Sequence, residues 1–198
     1  CAMLKQLISY YGKENEWIEF KVNNEEPHMI GEYISALANS AMLHDTNKAY
    51  LIFGVNDESL DIVGTTVKLN SVKKGNEELE SWLLRSLEPK VNFNFLEINC
   101  DGVDVSIIEI DCAYQEPVKF KGTEFIRIGS YKKKLQDYTE KERKLWQKFS
   151  TYCFEEDIAL KDVTNEQIFE LIDYKSFFKL NNLPYDELIN DENYVLEK

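Results

Sequence analysis

Glu14-Asn15-Glu16-Trp17-Ile18-Glu19-Phe20-Lys21 is the stretch on which the reading of this 198-residue chain turns. Ile18, Phe20 and Val22 recur at every second residue, so an extended backbone puts them on one face and Trp17, Glu19 and Lys21 on the other. The first face reads as core; the second holds a carboxylate beside an ammonium. Glu14 stands five residues before Glu19, where a loop can bring its carboxylate back toward that of Glu19. Two such carboxylates can hold a hard divalent cation, which takes oxygen ligands. A neighbouring lysine can then orient a water or a phosphate. Alone, an acid-x-base triplet such as Glu19-Phe20-Lys21 arises by chance about four times in a chain with 36 acids and 23 bases. Taken alone it reads as an ordinary ion pair at a sheet edge.

Working outward, Leu4, Leu7 and Ile8 predict a short amphipathic helix over residues 3–11, ended by Gly12. Beyond the strand, Asn23-Asn24-Glu25-Glu26-Pro27 is turn chemistry with a proline suited to a helix entrance. Ile30, Ile34, Leu37 and Ala41 then share one face of a helix over 28–42. Residues 48–55 are apolar on successive positions, as in a central strand buried on both sides. Asp57 follows in the Asn56–Ser59 turn, at the carboxyl end of that strand, where open sheets place their chemistry. An aspartate there also serves as a plain turn residue.

Further along, a strand is expected over 61–64 and a helix over 76–87 that Pro89 stops. Residues 91–98 and 103–110 alternate around Asn99-Cys100-Asp101-Gly102 as an antiparallel hairpin. A second strand pair, 118–120 and 124–128, surrounds Gly122, and Thr139 with Glu142 opens a helix over 138–149 in a capping-box pattern. The fold class is therefore α+β: a mixed, largely antiparallel sheet packed by helices. A last helix is expected over 165–175.

Charge divides the chain. Its formal net charge is −13, which argues against coating nucleic acid by bulk electrostatics. Residues 118–148 nonetheless carry ten bases against four acids, whereas 149–198 carry twelve acids against four bases. The sign change near residue 150 sets the expected boundary between a domain over 1–150 and an acidic helical extension over 151–198. No apolar run reaches membrane-spanning length and no signal-peptide pattern opens the chain, so no membrane partner is expected and the compartment read from the sequence is the cytoplasm. Cys1, Cys100, Cys112 and Cys153 lack zinc-ligand spacing and read as reduced structural thiols. There is no GxxxxGK[ST] run, so the chain shows no ATP site of that kind.

Several of these segments together resemble a known family. Glu14-x4-Glu19-Phe20-Lys21, Ile34-Ser35-Ala36-Leu37-Ala38-Asn39-Ser40, Leu51-Ile52-Phe53-Gly54-Val55-Asn56-Asp57 with Ile62-Val63-Gly64, Pro117-Val118 and Phe125-Ile126-Arg127-Ile128-Gly129-Ser130 look, in this order, like a Schlafen AlbA_2 domain over about residues 10–150. The resemblance implies the N-terminal part of a longer nucleic-acid-binding regulator, with residues 151–198 beginning a further region. From Schlafen endonucleases of tRNA and rRNA it implies a three-carboxylate site of Glu14, Glu19 and Asp57 for Mg²⁺ or Mn²⁺, with Lys21 at the scissile phosphate. It also implies a homodimer, since the enzymes clamp RNA between two such lobes. Many members carry paired glycines where Ala41 to Lys48 stands here, so the approach to Asp57 differs.

Two functions follow. One is a metal-dependent endoribonuclease using Glu14, Glu19, Asp57 and Lys21. The other is a non-catalytic RNA- or DNA-binding module in which Lys21, Arg127, Lys132, Lys133 and Lys134 contact phosphates. RNA is favoured over DNA in both.

Overall fold

Glu26 and Pro27 start the helix around which two sheets are assembled. The Glu26 carboxylate accepts hydrogen bonds from the His28 and Met29 amides, and Pro27 occupies the first turn, where its missing N–H costs nothing. The computed structural model describes residues 1–11 and 13–151. In chain order its elements are α1 (Ala2–Tyr11), β1 (Ile18–Lys21), α2 (Pro27–Leu43), β2 (Lys48–Phe53), β3 (Lys73–Lys74), β4 (Glu77–Glu78), α3 (Leu79–Ser86), β5 (Leu87–Glu88), β6 (Phe93–Cys100), β7 (Val103–Asp111), β8 (Lys119–Phe120), β9 (Thr123–Ile128), β10 (Tyr131–Lys134) and α4 (Thr139–Thr151).

The first sheet runs β1-β2-β7-β6. β1 lies parallel to β2, with Glu19 opposite Leu51 and Lys21 opposite Phe53, because α2 carries the chain back between them. The other pairs are antiparallel. Central β2 is buried on both faces, as its unbroken apolar run requires: Leu51, Ile52 and Phe53 are all inaccessible. One face of the sheet packs Ile18, Phe20, Ile52, Val105 and Ile107 with Leu4 of α1. The opposite face packs Leu51, Phe53, Ile108 and Ile110 with α2.

The second sheet, β10-β9-β8-β5, is antiparallel and shares α2 with the first. Here α2 docks by hydrogen bonds as well as apolar contact. Ser35 Oγ donates to the Val118 carbonyl at 2.7 Å and accepts from the Phe125 amide at 3.1 Å. Asn39 Nδ2 donates to the carbonyls of Val118 and Phe125, both at 2.9 Å, while its Oδ1 accepts from the Val118 amide at 2.7 Å. Ser40 Oγ accepts from the Arg127 amide at 3.0 Å. All three side chains are buried. Close approach also needs Gly31, since a Cβ there would overlap the Phe120 ring.

The largely antiparallel α+β class is thus observed, divided into two four-stranded sheets and the β3–β4 ribbon. Several local readings change. Val22 is exposed, and the face carrying Glu19 is as buried as the face carrying Phe20, because the second sheet and α2 cover it. The expected strand over 61–64 reduces to a bridge between Val55 and Ile62. The helix expected from residue 76 begins at Leu79, because Glu77 and Glu78 pair with Lys74 and Lys73. Cys1 and Cys100 are joined in a disulfide, with Cα atoms 4.6 Å apart, where reduced thiols were expected; Cys112 is free. The helix expected over 165–175 and the extension to 198 lie outside the described residues. No helix among the described residues is long and apolar enough to cross a membrane.

Asn39→Ala removes one donor group and one acceptor inside the protein and strands the Val118 amide. The variant should lose about 3 kcal/mol of unfolding free energy, from the cost of unpaired buried polar groups, read from urea denaturation with an unchanged m-value.

Candidate functional site

Glu19 leaves β1 on the covered face and meets Arg127 of β9. Both are buried, at 1% and 0% exposure, and they form an ion pair between Glu19 Oε2 and Arg127 Nη1. Lys21 Nζ pairs with the other Glu19 oxygen. Glu14 reaches back as its spacing suggests: its Oε1 accepts from the Phe20 amide at 2.9 Å, and its Oε2 lies 3.8 Å from Arg127 Nη2. Tyr33 of α2 closes the cluster. Its hydroxyl bonds Glu19, and its ring has Lys132 Nζ, Lys21 Nζ and Arg127 Cζ at 4.5, 5.4 and 5.5 Å from the centroid. These are cation–π distances.

The electrostatics follow from this crowding. Burial, and then the neighbouring Glu19 charge, raise the Glu14 pKa, against the lowering pull of the Phe20 amide, Lys21 and Arg127. Burial and the Glu19 carboxylate push the Tyr33 hydroxyl up to about 12. Burial pulls the Lys21 ammonium down, but its bond to Glu19 and the attraction of that charge outweigh burial and raise it.

Of the residues anticipated from the sequence, Glu14, Glu19 and Lys21 are brought together. Asp57 is not among them. It lies exposed in a turn held by Asn56 Oδ1, which accepts from the Glu58 and Ser59 amides. Among the described residues, the acid, thiol and imidazole atoms that gather within 4.8 Å belong to Cys1, Cys100 and Asp101, two of which are bonded to each other. The residues anticipated for Mg²⁺ or Mn²⁺ do not form such a group, and Glu19 already has two cationic partners. Arg127, anticipated at a phosphate, is an internal counter-ion instead. Lys132 is half-buried against Tyr33 and paired with Glu32. Lys133 and Lys134 are exposed on β10, an edge strand.

Glu16 was not singled out from the sequence. Its carboxylate accepts from Lys141 Nζ at 2.7 and 2.6 Å and from the Gly129 amide at 3.0 Å, and lies 2.5 Å from His44 Nε2. It therefore ties the loop before β1 to the end of α2, the β9–β10 turn and α4. Burial raises its pKa, yet these bonds outweigh burial and hold the carboxylate below its ordinary range. Nothing in residues 14–21 separates Glu16 from its neighbours, because its partners are 28 to 125 positions away.

Residues 14–136 match the family described as Schlafen, AlbA_2. The chain belongs to this family. The matched region of the AlbA_2 domain runs from Glu14 past the end of β10, so it contains the Arg127 cluster, the docking side chains of α2 and the β10 lysines. Membership suggests a nucleic-acid-related domain. A crystal structure of the DIP2311 protein from Corynebacterium diphtheriae is similar at 14% identity and a TM-score of 0.42, over 67% of this chain and 26% of that one. No curated protein matches.

Two predictions follow from the cluster and from Glu16. Arg127→Met should cost about 3–5 kcal/mol, since it leaves the Glu19 charge buried without its guanidinium. Arg127→Met with Glu19→Met should cost less than the sum of the two single changes, as measured by a double-mutant cycle. For Glu16, a lowered folded pKa means stability that is present above the unfolded value of 4.5 and is lost as pH falls through the folded value. Glu16→Gln should therefore be less stable near neutrality, by roughly 1 kcal/mol after solvent screening. The wild type should converge on it in acid denaturation series below pH 4.5.

Proposed function

We propose that this domain binds nucleic acid through β10, as a recognition module that prefers RNA with unpaired bases to duplex DNA. The observation that carries this reading is the composition of the β10 edge. Tyr131 is 69% exposed, and Lys133 and Lys134 stand beside it without a carboxylate partner among the described residues. Lysines on an edge strand can meet phosphates, and an exposed aromatic ring offers a stacking surface to a splayed base. Much of the basic excess of residues 118–148 is neutralised internally: Arg127 by Glu19, Lys132 by Glu32, Lys141 by Glu16 and Lys148 by Asp45. Lys133 and Lys134 remain available, so local charge counts for more than the net charge of −13.

A second reading is the metal-dependent endoribonuclease with Glu14, Glu19, Asp57 and Lys21. What favours it is that Glu14 lies near enough to Glu19 for that charge to add to burial in raising the Glu14 pKa. Cleavage through these groups requires Asp57 to come toward the pair. In either reading a second copy of the chain can complete a groove; a dimeric mass in solution would support that arrangement and a monomeric one would count against it.

Labelled tRNA, single-stranded RNA and duplex DNA, incubated with the purified chain in Mn²⁺ or Mg²⁺ and in EDTA, separate the readings. Binding without cleavage is expected. The double variant Lys133→Glu/Lys134→Glu should weaken RNA binding about tenfold or more at low salt and flatten the salt dependence by about two counterions. Cleavage that requires metal and vanishes in Glu14→Gln would establish the nuclease instead.

A further inference from the structure

The ion-pair cluster between the two sheets contains as many fixed positive charges as negative ones. Glu14, Glu19 and Glu32 face Arg127, Lys21 and Lys132, in contacts that link all six through Tyr33 or one another. We infer that the Arg127 guanidinium holds the place of a divalent cation between Glu14 and Glu19, so that this pair of acids is closed to Mg²⁺ and Mn²⁺ while Arg127 remains there.

Three observations carry the inference. Arg127 is wholly buried and presents Nη1 to Glu19 and Nη2 to Glu14, bridging both carboxylates as a metal ion would. Its Nε has no hydrogen-bond acceptor among the described residues, and beside the two acids the guanidinium meets one neutral partner, the Asn15 carbonyl, to which Nη2 donates at 3.5 Å. Lys21 supplies a second positive charge on Glu19, leaving no negative excess to attract a dication into a poorly solvated position. The backbone that carries the guanidinium is fixed as well, since the Arg127 amide donates to Ser40 Oγ on α2.

The inference is independent of nucleic-acid binding at β10, and its test needs no RNA. Titrate Mn²⁺ into the wild type, Arg127→Ala, Arg127→Lys and Arg127→Ala/Glu19→Gln, following bound Mn²⁺ by electron paramagnetic resonance and stability by thermal unfolding. The wild type and Arg127→Lys should bind no stoichiometric Mn²⁺. Arg127→Ala should bind one ion at least about tenfold more tightly than the wild type, with a melting temperature that climbs with Mn²⁺ as ligand linkage requires. Glu19→Gln should abolish that gain. Stoichiometric binding to the wild type that is lost in Glu14→Gln or Glu19→Gln overturns the inference. So does an Arg127→Ala protein that folds and gains no binding, or an Arg127→Lys protein that binds as well as Arg127→Ala. If Arg127→Ala fails to fold, the wild type decides: lack of binding supports the inference, and binding that depends on Glu19 defeats it.

Discussion

A guanidinium sealed from water has to be answered by carboxylates, and this demand organises the middle of the molecule. Arg127 arrives from the second sheet and Glu19 from the first, so their ion pair is also the polar joint between the sheets. Such a joint adds little net stability over an apolar one, since both charges give up hydration. Its effect is on arrangement. Leucines in these places would tolerate a sliding contact, whereas an arginine and a glutamate inside a protein tolerate only positions in which each finds the other. Glu14, Lys21, Tyr33 and Lys132 gather around the pair because each satisfies charge or hydrogen bonding that it leaves open.

Much of the fold was legible because it rests on local pattern. The unbroken apolar run at 48–55 identified a central strand, the alternation at 91–110 identified a hairpin, and Pro27 marked the entrance of α2 within a residue. β10 was missed because Tyr131-Lys132-Lys133-Lys134 has no alternation; it becomes a strand only by lying beside β9, with Lys132 opposite Arg127. The strand expected at 61–64 forms only a bridge, because its backbone bonds fold it back on Gly54, Val55 and Asn56 of the same turn rather than along a neighbouring strand.

The candidate site was legible in its first half. The five-residue spacing of Glu14 and Glu19 anticipated a loop that turns back, and it does. The neighbours of that pair were not legible, because they come from segments distant in sequence: Arg127 lies 108 positions from Glu19. One signal was present. In Phe125-Ile126-Arg127-Ile128 a lone charge sits in an apolar strand, and when both faces of such a strand are covered the charge has to find an internal partner. The polar residues Ser35, Asn39 and Ser40 within an apolar helix carried the same kind of message, pointing to backbone groups that need partners.

Those three side chains also limit how the domain can move. Successive residues of an α-helix are set about 100° apart, so a rotation of α2 by one position would carry Ser35, Asn39 and Ser40 away from Val118, Phe125 and Arg127 together. The helix therefore has one angular setting against the second sheet, and small intermediate rotations lose hydrogen bonds without offering replacements. Any change of shape transmitted through this domain must carry α2, β8 and β9 as a single rigid piece, and its strain then falls where α2 meets the first sheet, largely through apolar side chains.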